Sequence, residues 1–254
     1  WRPTRNAEFL PLSAAEARER TGDRLPGFRP RPDDTKENRA ANLADGDGYL
    51  RAVQEAAGES VVIGEDLGEV PDYVRPHLEK RGIAGFKVCH WEYELDEDDA
   101  EAEPQLIPGS AYAECSFATY ATHDHPPLAA MWEEFREKAL SADEDERLEG
   151  EKNLRLLGEF AGISPLADQS WPGYTPELRD KLLRALFACR SRYAALMITD
   201  IYGLPERFNT PGTVGGTNWR VRLPFTIREM RERPDLRAAG ASLAAMIRES
   251  GRAR

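Results

Sequence analysis

Short runs of β-branched and aromatic residues alternate along this chain with longer stretches that place apolar side chains at helical spacing. Val61-Val62-Ile63-Gly64 is compact and apolar and predicts a short buried strand. Gly85 to Trp91, Phe117 to Thr122 and Ala194 to Asp200 predict three more. Helical spacing is expected over Ala14–Arg20, where Ser13 and Glu16 form a capping box, and over Asp45–Ala57, Tyr73–Arg81 and Leu128–Leu140. It continues over Leu154–Ala161, Thr175–Arg190 and Ile227–Arg252, with Leu182, Leu183, Leu186 and Phe187 on one face of the Thr175–Arg190 segment. Between these lie an acidic loop over 92–112, a charge run over Ser141–Gly150 and a Gly-, Pro- and Asn-rich loop over Gly203–Asn218, with regular structure expected to resume at Trp219–Leu223. Strand and helix alternate, so the expected class is α/β with a parallel sheet and outer helices. Residues 1–44 read as an irregular segment and 45–254 as the folded domain. Four strands are half of what closes a (β/α)8 barrel.

The ends of two strands carry acids. Val61–Gly64 runs into Glu65-Asp66 and is broken by Leu67-Gly68, and Phe117–Thr122 runs into His123-Asp124-His125 before Pro126-Pro127 opens a helix. Parallel α/β enzymes hold their reacting groups at the C-terminal ends of strands, and a carboxylate pair there suits glycosidic bond chemistry. The expectation is that Glu65 and Asp124 point into one cleft. Plainer readings stay open. Glu65 or Asp66 could cap the following helix, and the His-Asp-His cluster could hold a metal, although no third ligand set stands at a recognisable spacing.

Composition narrows the partners. The chain has 254 residues, with 34 basic and 45 acidic side chains giving a net charge of -11, and an apolar share of 41% that suffices for a core. Acid excess argues against a nucleic-acid surface, and the absence of an apolar run of about 18 residues argues against a membrane span. Cys89, Cys115 and Cys189 are widely spaced, which fits reduced thiols in a cytoplasmic protein. The opening stretch from Trp1 to Asn6 has neither a targeting signal nor a clean element start, so the chain is expected to begin inside a larger protein.

In order, Gly64-Glu65-Asp66-Leu67-Gly68, Gly85-Phe86-Lys87-Val88, Thr122-His123-Asp124, Asn209-Thr210-Pro211-Gly212-Thr213 and Asn218-Trp219-Arg220 resemble the motifs of the 4-α-glucanotransferases, or amylomaltases, of glycoside hydrolase family 77. The resemblance runs from about Val61 to Leu223. It implies a (β/α)8 TIM barrel of the α-amylase superfamily type, of which this chain would be the C-terminal half. It also implies transfer of an α-1,4-glucan segment from a maltooligosaccharide to the 4-hydroxyl of another sugar by retaining double displacement, with no cofactor and no metal. By motif, Glu65 resembles the general acid/base, Asp124 the transition-state-stabilising carboxylate and His123 a residue that binds sugar hydroxyls. Trp91 stands where the family carries an acceptor-site aromatic, with a core role as the plainer reading, and Asn218 lies in the segment bordering the glucan cleft. For Asn209 a turn role ahead of Pro211 is expected. The chain departs from the family in following Thr-His-Asp with His125-Pro126-Pro127. It also has no Arg-x-Asp-His segment, which carries the family's nucleophile. Asp23, Asp33, Asp34, Asp45 and Asp47 are all expected in polar, Arg- or Gly-flanked loops, none after an apolar strand. The nucleophile is therefore expected upstream of Trp1, in a missing N-terminal half that would be the chain's partner, and the 254 residues alone are expected to be inactive. Two further readings are an α-1,4-glucan hydrolase of the same superfamily and a glucan-binding protein without a nucleophile.

Overall fold

The computed structural model describes residues 31–252 apart from 69, 97, 98, 100, 101 and 217, together with Ala15 and Glu19. Ala15 and Glu19 are helical; the rest of the helix expected over Ala14–Arg20, and Asp23, lie outside the described residues. The chain divides into two compact units, Trp1–Gly85 and Phe86–Arg254.

In the first unit, α1 (Lys36–Ala57) begins at Thr35, whose hydroxyl accepts the Asn38 amide at 3.1 Å. The pattern places this helix start at Asp45, whereas the structure starts it at Lys36, inside the segment read as irregular up to residue 44. α1 buries none of its residues and so has no apolar stripe to read. Polar links define it instead: Arg31 bonds Asp45 at 2.8 Å, and Arg81 and His77 both reach Asp47. Asp45 and Asp47 are thus helical, not in loops. β1 (Ile63–Gly64) pairs in parallel with the start of β2 (Ala84–Val88), Ile63 opposite Ala84 and Gly64 opposite Gly85, with α2 (Val74–Lys80) between them. Contrary to the buried strand expected, Val61 is 59% and Ile63 38% exposed.

In the second unit the remainder of β2, β5 (Ser116–Thr119) and β6 (Tyr193–Ala194) are neighbours in that order, β5 and β6 parallel with Phe117 opposite Tyr193. Phe86 on β2 and Phe117 on β5 pack with ring centroids 4.7 Å apart, and Tyr120 Oη donates to Leu182 O at 2.7 Å. The segment expected as a loop over 92–112 holds a small antiparallel pair, β3 (Tyr93–Glu94) and β4 (Gln105–Leu106). Three helices supply the core: α3 (Leu128–Ala139), α4 (Glu144–Ala161) and α5 (Pro176–Ala188) bury Leu128, Trp132, Leu154, Leu157, Leu182, Leu183 and Leu186. The charge run, read as a solvated helix start or loop, leads into α4 and supplies its first turns from Glu144 to Gly150. Asp143 caps it by accepting the Glu146 amide, and the acids of its first turn face the positive end of the helix dipole.

Two elements depart from the pattern. The strand expected over Ala194–Asp200 stops at Ala194, and Ile198–Tyr202 form a short helix, α6. Asp200, in the first turn of α6, turns back to accept the Met197 amide at 3.0 Å, and Gly203 at φ +64 ends the turn. Trp219–Leu223, expected to be regular, is not: Trp219 and Arg220 lie in a turn and 221–223 are irregular. The helix expected from Ile227 to Arg252 is two, α7 (Ile227–Glu232) and α8 (Pro234–Glu249), because Pro234 forces Arg233 out of the helical region. No described helix is long and apolar enough to cross a membrane.

Helices α3 and α4 cross closely because Gly150 has no side chain. A Cβ there would lie 2.7 Å from Phe135 O and closer still to Ala139 N, both backbone atoms of α3. Gly150→Ala is expected to cost about 1–3 kcal/mol, as overpacking does, despite alanine's better helix propensity. Urea denaturation reads the shift, and an unchanged or raised midpoint would rule out the close crossing.

Candidate functional site

Behind β1 the two adjacent carboxylates part company. Asp66 is buried, its Oδ2 accepting from Arg75 Nε at 3.0 Å and its main-chain oxygen from Arg75 Nη2. It occupies the space above Gly85, where a Cβ would meet Asp66 Oδ2 at 2.8 Å. That contact explains the glycine of the Gly85-Phe86-Lys87 motif. Glu65 is exposed. Neither acid caps α2, whose first flanking residue, Tyr73, makes no side-chain cap.

Asp124 lies in the second unit, in the loop that follows β5. This loop is a tight turn: Thr122 Oγ1 and His125 Nδ1 are 2.9 Å apart, Asp124 N donates to Thr122 Oγ1, and His125 N donates to Thr122 O. The turn leaves the Asp124 carboxylate facing His123 Nε2 at 3.4 Å. A second loop reaches it from the far side. Asn209 Nδ2 donates to Asp124 Oδ1 at 2.5 Å, while the Arg207 guanidinium bonds both Asp124 O and Asn209 O. Asn209 is thus a direct partner of the acid and not a turn former alone, and Arg207 stiffens both loops. The sequence singled out Asn209 only for a turn role and Arg207 not at all; the signal was an Arg-x-Asn ahead of Pro211 in a loop otherwise rich in glycine.

Aromatic surfaces flank this carboxylate. The Trp91 ring is 42% exposed and stands edge-on to His125 with centroids 5.0 Å apart, which makes it a half-open platform and not a core residue. Trp219 is 62% exposed, lies 5.4 Å from the His123 ring and holds a left-handed φ of +60. For a residue that is neither glycine nor asparagine this conformation costs of order 1–3 kcal/mol, and such strain clusters at functional positions. The neighbouring Asn218 is held by its own loop. Its amide accepts from Thr210 N at 3.1 Å and donates to Thr210 O, Thr213 O and Thr213 Oγ1, so it staples the loop shut and presents Trp219. Among the described residues no three His, Cys, Asp or Glu side chains converge as a metal site would require.

His90, beside Trp91, supports this platform from below. It is 2% exposed, packs against Trp91 and Phe135 and has no hydrogen-bond partner at Nδ1 among the described residues. Burial, with His125 nearby, lowers its imidazole to about 3. An unfolded histidine takes up its proton near pH 6.5. Between these values the unfolded chain binds one proton more, so stability is full above pH 6.5 and falls as the pH drops toward 3, by about 1.4 kcal/mol per unit from this group. His90→Phe is expected to flatten that dependence. Denaturation midpoints for both proteins from pH 4 to 7 test it, and parallel curves would show that His90 is not the group responsible.

With the geometry in view, the chain can be set beside known proteins. The sequence model of the 4-alpha-glucanotransferase family matches residues 28–227. A 4-alpha-glucanotransferase of Mycobacterium tuberculosis (strain ATCC 25618 / H37Rv) is 34% identical over 173 residues, 65% of this chain and 23% of its own length. One of Chlamydia muridarum is 27% identical over 201 residues, 74% of this chain and 33% of its own. Among solved structures, amylomaltase from Corynebacterium glutamicum superposes with TM-score 0.58 at 25% identity, covering 77% of this chain and 30% of that one. Amylomaltase from Streptococcus agalactiae in complex with acarbose superposes with TM-score 0.54 at 20% identity, over 81% and 35%. The chain therefore spans a third or less of the length of these curated relatives.

Proposed function

The chain belongs to the 4-alpha-glucanotransferase family, glycoside hydrolase family 77, and from that premise we propose that it forms part of an enzyme that moves α-1,4-glucan segments between maltooligosaccharides. We read its strands as the C-terminal half of a (β/α)8 barrel. The observation that carries the reading is Asp124: a carboxylate beyond a parallel strand, gripped by Asn209 and flanked by His123 and two exposed tryptophans. A carboxylate oriented by an amide donor can grip ring hydroxyls as an oxocarbenium-like state forms. Trp91 and Trp219 offer flat apolar faces to sugar rings, and His123 supplies a donor at their rim. Glu65 we assign as general acid/base, because it is the exposed acid of its pair. The enzyme would be cytoplasmic; the three free cysteines Cys89, Cys115 and Cys189 support that placement.

Maltotriose separates the outcomes, in an assay that supplies a nucleophile-bearing segment. Oligomers longer than three units mean transfer. Glucose and maltose alone would make the protein a hydrolase. One observation favours a second reading, a glucan-binding protein without turnover: the described aspartates that precede Glu65 are all committed to other partners, Asp33 to Tyr73, Asp34 to Asn38, Asp45 to Arg31 and Asp47 to Arg81. Under that reading maltotriose would bind and be recovered unchanged.

A further inference from the structure

We propose that Asp200 is a positioning residue for Asp124: one buried carboxylate locks together the two loops whose meeting builds the candidate site. The inference rests on the transferase reading for its consequence in turnover and on the geometry alone for its mechanical part. Asp200 is 2% exposed and sits in α6. Its Oδ1 accepts the Leu128 amide at 2.8 Å across 72 positions of sequence, and its Oδ2 accepts the Met197 amide at 3.0 Å.

Both bonds fall where the local chain cannot satisfy itself. Leu128 is the first residue of α3, and a helix start leaves its amides without internal partners. The residues before it are Pro126 and Pro127, and Pro127, at the cap position, makes no side-chain cap. The cap comes instead from another loop, through Asp200. Leu128 also ends the turn that carries His123, Asp124 and His125. On its other side, Asp200 stands three residues before Gly203, where the chain leaves α6 for the loop bearing Arg207 and Asn209. That loop returns to Asp124 through the Asn209 amide and the Arg207 guanidinium. The two loops are thus pinned twice, at the root by Asp200 and at the tip by Asn209 and Arg207. Loosening the root frees the turn to move relative to the Asn209 side chain, and a shift of about 1 Å in a positioned group can cost on the order of a hundredfold in rate.

The root pin is also a titrating one. The titratable group that faces Asp200 is Tyr174, from the stretch before α5, whose own phenol burial and the Asp200 charge push upward. Burial raises Asp200 to about 6, against the pull of its two backbone bonds. Protonation therefore removes, in mildly acidic solution, the charge that both bonds lean on.

The test is Asp200→Asn, which keeps size but places a second donor against an amide donor and cannot titrate. With a nucleophile-bearing segment supplied, kcat for transfer is expected to fall about ten- to a hundredfold with KM for maltotriose nearly unchanged, and an acid limb near pH 6 in the wild-type profile should vanish. A wild-type rate and pH profile in the variant would overturn the proposal. Amide exchange in the 254-residue chain supplies a readout that needs no activity: after correction for intrinsic rates, and relative to core amides of α4 that report the stability change carried by His90, the protection of segment 122–128 should change between pH 7 and pH 5 in wild type. Unchanged protection would refute the root pin even if Asp200→Asn fails to fold. If the wild type transfers nothing while its exchange shows the pH step, the function assigned above fails and the role of Asp200 stands.

Discussion

Glu65→Gln is expected to lower glucan transfer by about 10²–10⁴-fold, the range that positioned general acid–base catalysis supplies, while leaving glucan binding within a few-fold. The acid must protonate the glycosidic oxygen as the first bond breaks and then accept the proton of the incoming 4-hydroxyl. Glutamine fills the same space and can do neither. The prediction discriminates because Glu65 and Asp66 are adjacent and only one of them is available. Asp66 is buried beneath Arg75 and fills the space over Gly85, so Asp66→Asn should loosen this turn and lower stability. Glu65 is exposed, so its replacement should leave the melting temperature nearly unmoved. If Glu65→Gln kept more than about a tenth of the rate, the acid would have to be sought elsewhere. Rates are read with a nucleophile-bearing segment present, and binding is read by calorimetry with maltooligosaccharides.

How far these roles were legible in the sequence follows from what each residue leans on. Strand ends followed by acids were readable because burial of β5 is written in its own β-branched and aromatic residues. Gly85 and Asp66 illustrate the limit: the motif showed both, but the reason for the glycine is a contact across 19 positions that no local pattern carries. α1 was half missed because it is held by ion pairs at Asp45 and Asp47 and not by an apolar stripe. The last strand was drawn too long because Ala194–Ile198 is apolar throughout, and the hydrophobic pattern cannot see that Asp200 folds back on Met197 and starts a helical turn.

The site shows the same division. The His123-Asp124 pair could be picked from the chain because it ends a strand, and Trp91 only through the family resemblance; the structure gathers His123 and Asp124 directly and brings Trp91 against His125. Arg207 and Asn209 act from a loop 83 and 85 positions downstream of Asp124, so only the fold reveals them. The motif named Asn218 and gave Trp219 no role: the asparagine spends its amide on closing the loop, and the tryptophan, strained and exposed, stands beside His123.

The 254 residues alone are expected to show no transfer from maltooligosaccharides, and a second segment carrying Arg-x-Asp-His is expected to restore it in trans. A retaining double displacement needs a nucleophilic carboxyl roughly 5–5.5 Å from the acid/base. Asp124 is assigned elsewhere, to stabilising charge, and Asp66 is locked to Arg75. The described aspartates before Glu65 serve the packing around α1: Asp33 accepts from Tyr73 and Asn42, which together lower its carboxyl, and Arg81 with His77 does the same for Asp47. Pulling either into catalysis would dismantle the contacts that keep α1 in place. On the half-barrel reading such a segment would pair at β1, where Val61 and Ile63 are exposed among the described residues and an uncovered strand invites pairing. The assay is thin-layer or mass analysis of maltotriose products with and without the added segment. Transfer by the chain alone would place the nucleophile among these residues. If the segment bound tightly and maltotriose still came back unchanged, the glucan-binding reading would take over from the enzyme.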